Sequence, residues 1–416
     1  MHDRAASIPA QRPYGLLSSL YVAQGLPFGF FSLALPVLMR EAGWSLTAIQ
    51  FLQLLALPWA LKFLWAPVVD RHGRRRTWLL GLQAAGVVMA LLMSVLDLEG
   101  ARWPLFVAVA LFNLIAATQD IVTDGLAVRL LDGRSRGLAN GIQVGAYRVG
   151  MILGGGLLLW VFAQAGWSAM FVGMAVLLAL TSVAVWHWQE PPEVTSGLSD
   201  DPAALTGGVS LGWAWLQRAL TPQLLTMAAL VLVYRFGDQM VSALITPFLL
   251  DQGVSKAQIA VMKGTVGSVS SLVGAALGGW MMLHLSRRVA LLGTGLAQAA
   301  SFGLYIGVAL GWGGHDWLWA ATVAEGVVGT MASVALFALM MDAADPRHAG
   351  TDYSLLASAV VAVGGVGGLA GGVVGDHLGY GVAFGAGTVL SALGCVGLVA
   401  WLDRRPLSAR LAERWR

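Results

Sequence analysis

LPWALKFLWAPVVDRHGRRRTWLLGLQAAGVVMALLM, residues 57–93, places a dense basic cluster between two apolar runs. Asp70, Arg71, Gly73, Arg74, Arg75 and Arg76 all fall inside the cluster. A helix that crosses a bilayer needs about 20 mostly apolar residues. The stretch therefore reads as a membrane helix, a charged surface loop and a second membrane helix.

The rest of the chain agrees. Of 416 residues, 57% are hydrophobic and only 11% are charged, against roughly a quarter charged in soluble domains. The 53 glycines and 17 tryptophans also suit membrane helices, which tolerate glycine and carry aromatics at their ends. Twelve apolar segments follow one another, at about 15–39, 46–69, 77–97, 103–129, 136–163, 167–188, 222–250, 256–283, 288–311, 317–342, 352–375 and 380–402. No ten-residue stretch alternates with period two, which argues against a β-barrel. The expected fold is all-α and integral to the membrane, with twelve transmembrane helices.

Positive charge sets the expected orientation. If the termini and even-numbered connections share one side, that side holds 18 of the 25 Lys and Arg residues, from Arg4 and Arg12 to Arg416. The other side holds only Arg40, Arg102 and Lys256, and four more lie within segments. Both termini are thus expected in the cytoplasm, in a multi-pass protein of the inner membrane. The formal charge of +3 reflects this topology, so no nucleic-acid partner is read from it. The first apolar run follows a polar start without an evident cleavage site and reads as a retained helix. Cys395 is the sole cysteine, which rules out an intrachain disulfide.

The chain is also built twice. Residues 1–188 and 222–416 each hold six segments, and 189–221, rich in Pro, Gly, Ser and acids, reads as a cytoplasmic linker. Pro36, Gly43, Ser45 and Ile49 correspond to Pro247, Gly253, Ser255 and Ile259, and Gly166-Trp167 corresponds to Gly379-Tyr380. Two such pseudo-symmetric halves form a transporter plan with the solute site between them near mid-membrane.

APVVDRHGRR (66–75) resembles the Gly-x-x-x-Asp-Arg-x-Gly-Arg-Arg loop of the major facilitator superfamily, with Ala66 in place of the first glycine. A degenerate copy keeps Gly279, Arg287 and Arg288 but has Leu283 where the aspartate belongs. The resemblance implies a cytoplasmic latch formed by Asp70, Arg71, Gly73, Arg74 and Arg75. Asp70 would face the end of helix 11, and Arg71 or Arg74 would meet a helix 4 carboxylate, for which Asp124 is placed. QGLPFGFF (24–31), TQDIVTDGLAVRLL (118–131), RGLANGIQVGAYRVGMILGGG (136–156) and AGTDYSLLASA (349–359) extend the likeness to the AmpG-related permeases. Within that group the resemblance points first to siderophore permeases of the RhtX/FptX type, beside muropeptide and acetyl-CoA transporter relatives.

Charges inside a bilayer cost at least about 2.5–3.5 kcal/mol, so they are paired and often functional. The bases are Lys62, Arg148, Arg235 and Lys263; the acids are Asp120, Asp124, Asp238 and Glu325. At 1.5 Å per residue, Lys62 and Asp120 lie about 12 and 13 Å from the basic end, and Arg148 about 18 Å. These depths allow an Asp120–Arg148 pair with Lys62 nearby. Arg235 and Asp238 are one turn apart on helix 7 and can pair along it. Lys263 and Glu325 share a depth on helices 8 and 10. Such a pair can also serve only to fix helix register.

In this superfamily helices 1, 4, 7 and 10 line the cavity and 2, 5, 8 and 11 flank it; the expected solute contacts are Tyr21, Gln24, Arg235 and Gln239 on lining helices and Arg148 on a flanking one. Asp120, Asp238, Glu325, Lys62 and Lys263 form the expected charge and proton network, with Glu325 and Asp120 as the candidate carriers. No phosphate-binding loop is present, the seven histidines have no metal-ligand spacing, and no cofactor is expected. The glycine rows 364/368/372 and 367/371/375 read as close helix packing. The segment LGWAWLQRAL (211–220) has the pattern of a surface helix.

The expected activity is secondary active transport by alternating access, proton-driven and not enzymatic, by a monomer in the lipid bilayer. The solute would be a small anionic or polar metabolite imported into the cytoplasm, a ferric siderophore first. A muropeptide or acetyl-CoA-like compound is the alternative, and a drug or metabolite exporter the next.

Overall fold

The computed structural model describes residues 14–41, 55, 57–96, 102–131, 133–191, 217–405 and 409–415. All regular structure among them is helical. Helix α1 runs Tyr14–Gly29 and continues through a π-turn, Phe30–Ala34, into Leu35–Glu41. Helix α2 comprises Leu57–Leu61, a 3-10 turn Lys62–Leu64, and Ala66–Arg71; α3 is Arg75–Ser94 and α4 is Arg102–Leu130. Helix α5 begins at Gly133–Ile152, passes a π-turn at Leu153–Leu157, and ends at Gly166, where α6 starts and runs to His187.

In the second half α7 is Pro222–Asp251, and α8 is Lys256–Ile259 with a π-turn Ala260–Val266 and Gly267–His284. Then follow α9 (Arg287–Ala309), α10 (His315–Ala343), α11 (Ala349–Leu378), α12 (Tyr380–Arg404) and a short α13 (Ala409–Trp415). Ten stretches among the described residues are long and apolar enough to span a membrane. The one over Gly137–His187 is two spans divided at Gly166, and α2 supplies the twelfth helix. The linker between 192 and 216, residues Gly43, Ser45 and Ile49, and Arg4, Arg12 and Arg416 lie outside the described residues. Of the surface-helix segment 211–220, only 217–220 is described, with 217–219 helical.

The internal duplication extends to the backbone. Gly166 (φ 80°, ψ −174°) and Gly379 (φ 82°, ψ 164°) adopt the same left-handed geometry at the hairpin between the last two helices of each half. Only glycine adopts that region without strain. The aromatic that follows each glycine is tied to its own half. Trp167 Nε1 donates to Met93 O at 2.7 Å, and Tyr380 Oη donates to Asp251 Oδ2 at 2.6 Å.

Glycine also sets how closely helices approach. A Cβ on Gly25 would lie 2.2 Å from Tyr147 O, and one on Gly154 2.0 Å from Leu26 O, so α1 and α5 meet backbone to backbone. Of the two glycine rows on α11, Gly367 and Gly371 bear on α7 backbone, against Phe236 O and Met240 O.

The apolar core shows how the halves sit. At the end that carries the basic loops, one core joins them, from Leu17, Tyr21, Val128 and Leu131 to Leu336, Met340, Leu356 and Trp415. Toward the opposite end it divides in two, one core around Phe30, Phe112 and Phe171, the other around Phe248, Phe302 and Phe384. The bundle is shut at the basic end.

Candidate functional site

Beyond the joined core, between the halves, lies a cavity of about 440 Å³ lined by α1, α2, α4 and α5 and by Phe337, Tyr353, Ala357 and Val360 of the other half. Its floor is ionic. Lys62, 3% exposed, pairs with Asp120 and lies 3.7 Å from Asp124. Asp124 also accepts from Tyr21 Oη at 3.1 Å and from Gln143 Nε2 at 3.2 Å. The same Gln143 amide lies 3.5 Å from Tyr353 Oη, a contact that crosses between the halves. Two buried carboxylates thus share one ammonium. The cavity wall is aromatic: the Phe28 ring centroid lies 5.7 Å from those of both Trp59 and Tyr147.

A second cavity, about 270 Å³ and polar, lies among α5, α7, α8, α9 and α10. Arg235 pairs with Asp238 at 2.8 Å, as their spacing predicts, and Gln298 also donates to Asp238. Lys263 lies 3.7 Å from Glu325. Gln239, Ser242, Ser271, Thr322, Thr330 and Ser333 also line it. Arg148 borders both cavities. Among the described residues it pairs with no carboxylate, and its Nη1 lies 3.9 Å from Met151 Sδ.

At the basic end, Asp70 accepts from Gly350 N (3.2 Å), Thr351 N (2.6 Å) and Thr351 Oγ1 (2.7 Å) at the first turn of α11. A carboxylate on exposed helix N-terminal amides is favoured by hydrogen bonding and by the helix dipole together. Arg75, fully buried, holds the same carboxylate at 2.7 Å and caps α2 through Val69 O at 2.6 Å. Arg76 donates to Trp186 O at the end of α6, while Glu190 accepts from the Arg75 and Arg76 amides at 3.1 and 3.2 Å. The basic run therefore closes helix ends as well as marking a membrane side. Arg129 of α4 donates to Arg347 O across the halves.

Two sequence expectations fail here. Asp120 pairs with Lys62 and not with Arg148. Asp124 is no part of the latch: it faces the cavity, and neither Arg71 nor Arg74 pairs with it among the described residues. Gly73, at φ 72°, turns the chain so that Arg74 points into the open and Arg75 inward. The cavity residues missed from sequence include the wall residues Phe28 and Tyr147 as well as Trp59, Gln143 and Tyr353. Gln143 and Tyr353 sit in runs that carry the family likeness, and Gln143 is a polar group within an apolar segment.

The comparisons with known proteins agree with this fold. The Major Facilitator Superfamily profile covers residues 17–351 and again 227–415. The anhydromuropeptide permease of Escherichia coli (strain K12) is 33% identical over 362 residues, 84% of this chain and 71% of that one. A putative transporter, AmpG 4, of Rickettsia felis is 25% identical over 362 residues, 82% of this chain and 84% of that one. Among solved structures, a proton:xylose symporter superposes with TM-score 0.74 at 11% identity, covering 97% of this chain and 99% of that one. The E. coli fucose:proton symporter gives 0.72 at 14%, covering 94% and 98%. At such identities these structures speak for the fold alone. On the profile match, the 33% identity and the two six-helix halves, the chain belongs to the Major Facilitator Superfamily and, within it, to the AmpG-related permeases.

Proposed function

We propose that this transporter imports anhydromuropeptide-type solutes, sugars bearing a short peptide, across the cytoplasmic membrane by proton-coupled alternating access. The reading rests on the 33% identity to the E. coli anhydromuropeptide permease over 84% of the chain. It displaces the siderophore expectation, which has only short sequence runs behind it. The basic end is taken as cytoplasmic by its excess of arginine, so the structure corresponds to a conformer closed to the cytoplasm. Asp120 and Asp124 share Lys62, and a proton on this pair relieves the second buried negative charge. Glu325, with its longer contact to Lys263 of α8, is the secondary candidate.

The test is uptake of labelled anhydromuropeptide and of ferric siderophores into right-side-out vesicles, with and without a protonophore. Protonophore-sensitive uptake of the muropeptide alone is expected. Uptake of the siderophore alone overturns the solute class. Asp124→Asn is expected to lower gradient-driven uptake at least tenfold while leaving counterflow exchange measurable; full gradient-driven uptake by both Asp120→Asn and Asp124→Asn removes the proton site.

A further inference from the structure

Three of the four intramembrane bases have acidic partners: Lys62 with Asp120 and Asp124, Arg235 with Asp238, and Lys263 with Glu325. Arg148 has none among the described residues, and it stands where the two cavities meet. A cation held in a membrane interior without an acid is the natural seat for an anionic ligand group, because guanidinium and carboxylate match as a bidentate pair.

The aromatic cavity carries a second, independent sign. Gln24 is 1% exposed and lines this cavity, yet neither its Oε1 nor its Nε2 has a hydrogen-bond partner. Trp59 Nε1 and Gln143 Oε1, on the same lining, are also unpartnered. Buried polar atoms are nearly always satisfied, and leaving one unmade costs about 1–3 kcal/mol. These atoms offer donors and acceptors at once, beside the wall of Phe28, Trp59 and Tyr147. A sugar ring has that dual character: its C–H faces are apolar and its edges carry hydroxyl and amide groups.

We infer that the ligand lies across the junction of the cavities, with a glycan ring against the aromatic wall, hydrogen-bonded by Gln24, and a carboxylate of the same molecule on Arg148. The assignment deepens the proposed function and rests on it for the identity of the solute. It also separates the two charge clusters by task. Arg148 receives the ligand's charge, and Lys62 with its two aspartates stays internal. A ligand anion at Arg148 leaves the Asp120–Asp124–Lys62 cluster one negative charge in excess, so solute and proton load together.

The experiment is equilibrium binding to the full-length protein in nanodiscs, using anhydromuropeptide as the free acid and as its carboxamide. The wild type is expected to prefer the acid by at least tenfold. In Arg148→Gln the acid and the amide bind alike, and in Arg148→Lys part of the preference returns. Gln24→Leu weakens acid and amide together, by about five- to tenfold. An acid preference that survives in Arg148→Gln, or unchanged binding in Gln24→Leu, overturns the assignment. If the wild type binds neither compound, the proposed solute is wrong. The subsites are then judged on simple N-acetylglucosaminides with and without a carboxylate, and no preference for the acid there overturns them too.

Discussion

The two seams that hold the halves together at the basic end are related by the internal duplication, yet they are built from different chemistry. Where the α2–α3 loop meets α11, the contact is polar: Asp70 takes three hydrogen bonds from Gly350 and Thr351 and is backed by Arg75. Where the end of α8 meets α5, the contact is backbone packing. A Cβ on Gly141 would lie 2.8 Å from Gly279 Cα, and one on Gly137 2.3 Å from Met282 Cβ.

The acids have moved accordingly. Leu283 stands where the second loop lacks its aspartate, and the buried Arg287 that opens α9 finds Asp342 of α10 instead, at 2.8 Å. Arg75, which opens α3, pairs through its two Nη atoms within its own loop. One seam is thus a directional, charged contact, and the other a close backbone contact. A transporter that opens and recloses needs one contact that can be switched and one that guides.

The largest effect is expected at the acids. Removing one partner of a buried pair costs about 3–5 kcal/mol, because the other charge is stranded. Asp70→Ala and Asp342→Ala should therefore destabilise the protein by similar amounts in thermal unfolding. They should differ in where the damage appears. Asp70→Ala frees the Gly350 and Thr351 amides, so hydrogen exchange over 349–353 accelerates and transport falls at least tenfold. Asp342→Ala leaves exchange at that segment as in the wild type. Equal acceleration in both variants would break the distinction between an acid that bridges the halves and an acid internal to one half.

These differences also show which parts of the protein can be read from its sequence. Twelve spans and the duplication, with its Gly166/Gly379 correspondence, were legible, since length, hydropathy and repeated residues can be read locally, whereas the left-handed conformation of those glycines came from the structure. The Arg235–Asp238 pair was legible for the same reason, being one turn apart on a single helix. The partner of Asp120 was not, because depth along a helix says nothing of rotation about it. The depths themselves put Lys62 nearer to Asp120 than Arg148, and the 3-10 turn at Lys62–Leu64 helps present that flexible side chain to two carboxylates. The arginine positions of the two loops also differ by one. The motif aligns Arg287 with Arg74, but the second loop is one residue shorter between helices, so the first residue of α9 corresponds to Arg75.

A smaller effect is expected at the glycine seam. At Gly141 backbone must move to admit a methyl group, whereas a Cβ on Gly279 meets Gly141 Cα at 3.3 Å. Overpacking costs about 1–3 kcal/mol. Gly141→Ala should push the equilibrium toward the conformer open at the basic end by about five- to a hundredfold, and Gly279→Ala by less. Distances between spin labels on α5 and α8 at that end will show the shift. A larger opening from Gly279→Ala would mean that the seam is not limited by backbone contact.

The smallest effect concerns how the two equivalent helices begin. Helix α9 is capped by its own Ser286, whose Oγ accepts from Val289 N at 3.4 Å. Helix α3 has Arg74 at that position, which offers no side-chain acceptor, and its first amides turn to Glu190 from beyond α6. Losing an N-cap costs about 0.5–2 kcal/mol, and the long Ser286 bond places Ser286→Ala near the lower bound. Glu190→Ala should cost about 1 kcal/mol, since it removes both hydrogen bonds and a favourable charge at a helix N-terminus. If capping is the whole role of Glu190, adding Arg74→Ser to Glu190→Ala should recover most of that loss, because α3 then carries the same local cap as α9. A double variant as unstable as Glu190→Ala alone would instead show that Glu190 acts by fastening α3 to α6, a tie that Arg76 makes in the other direction through Trp186 O.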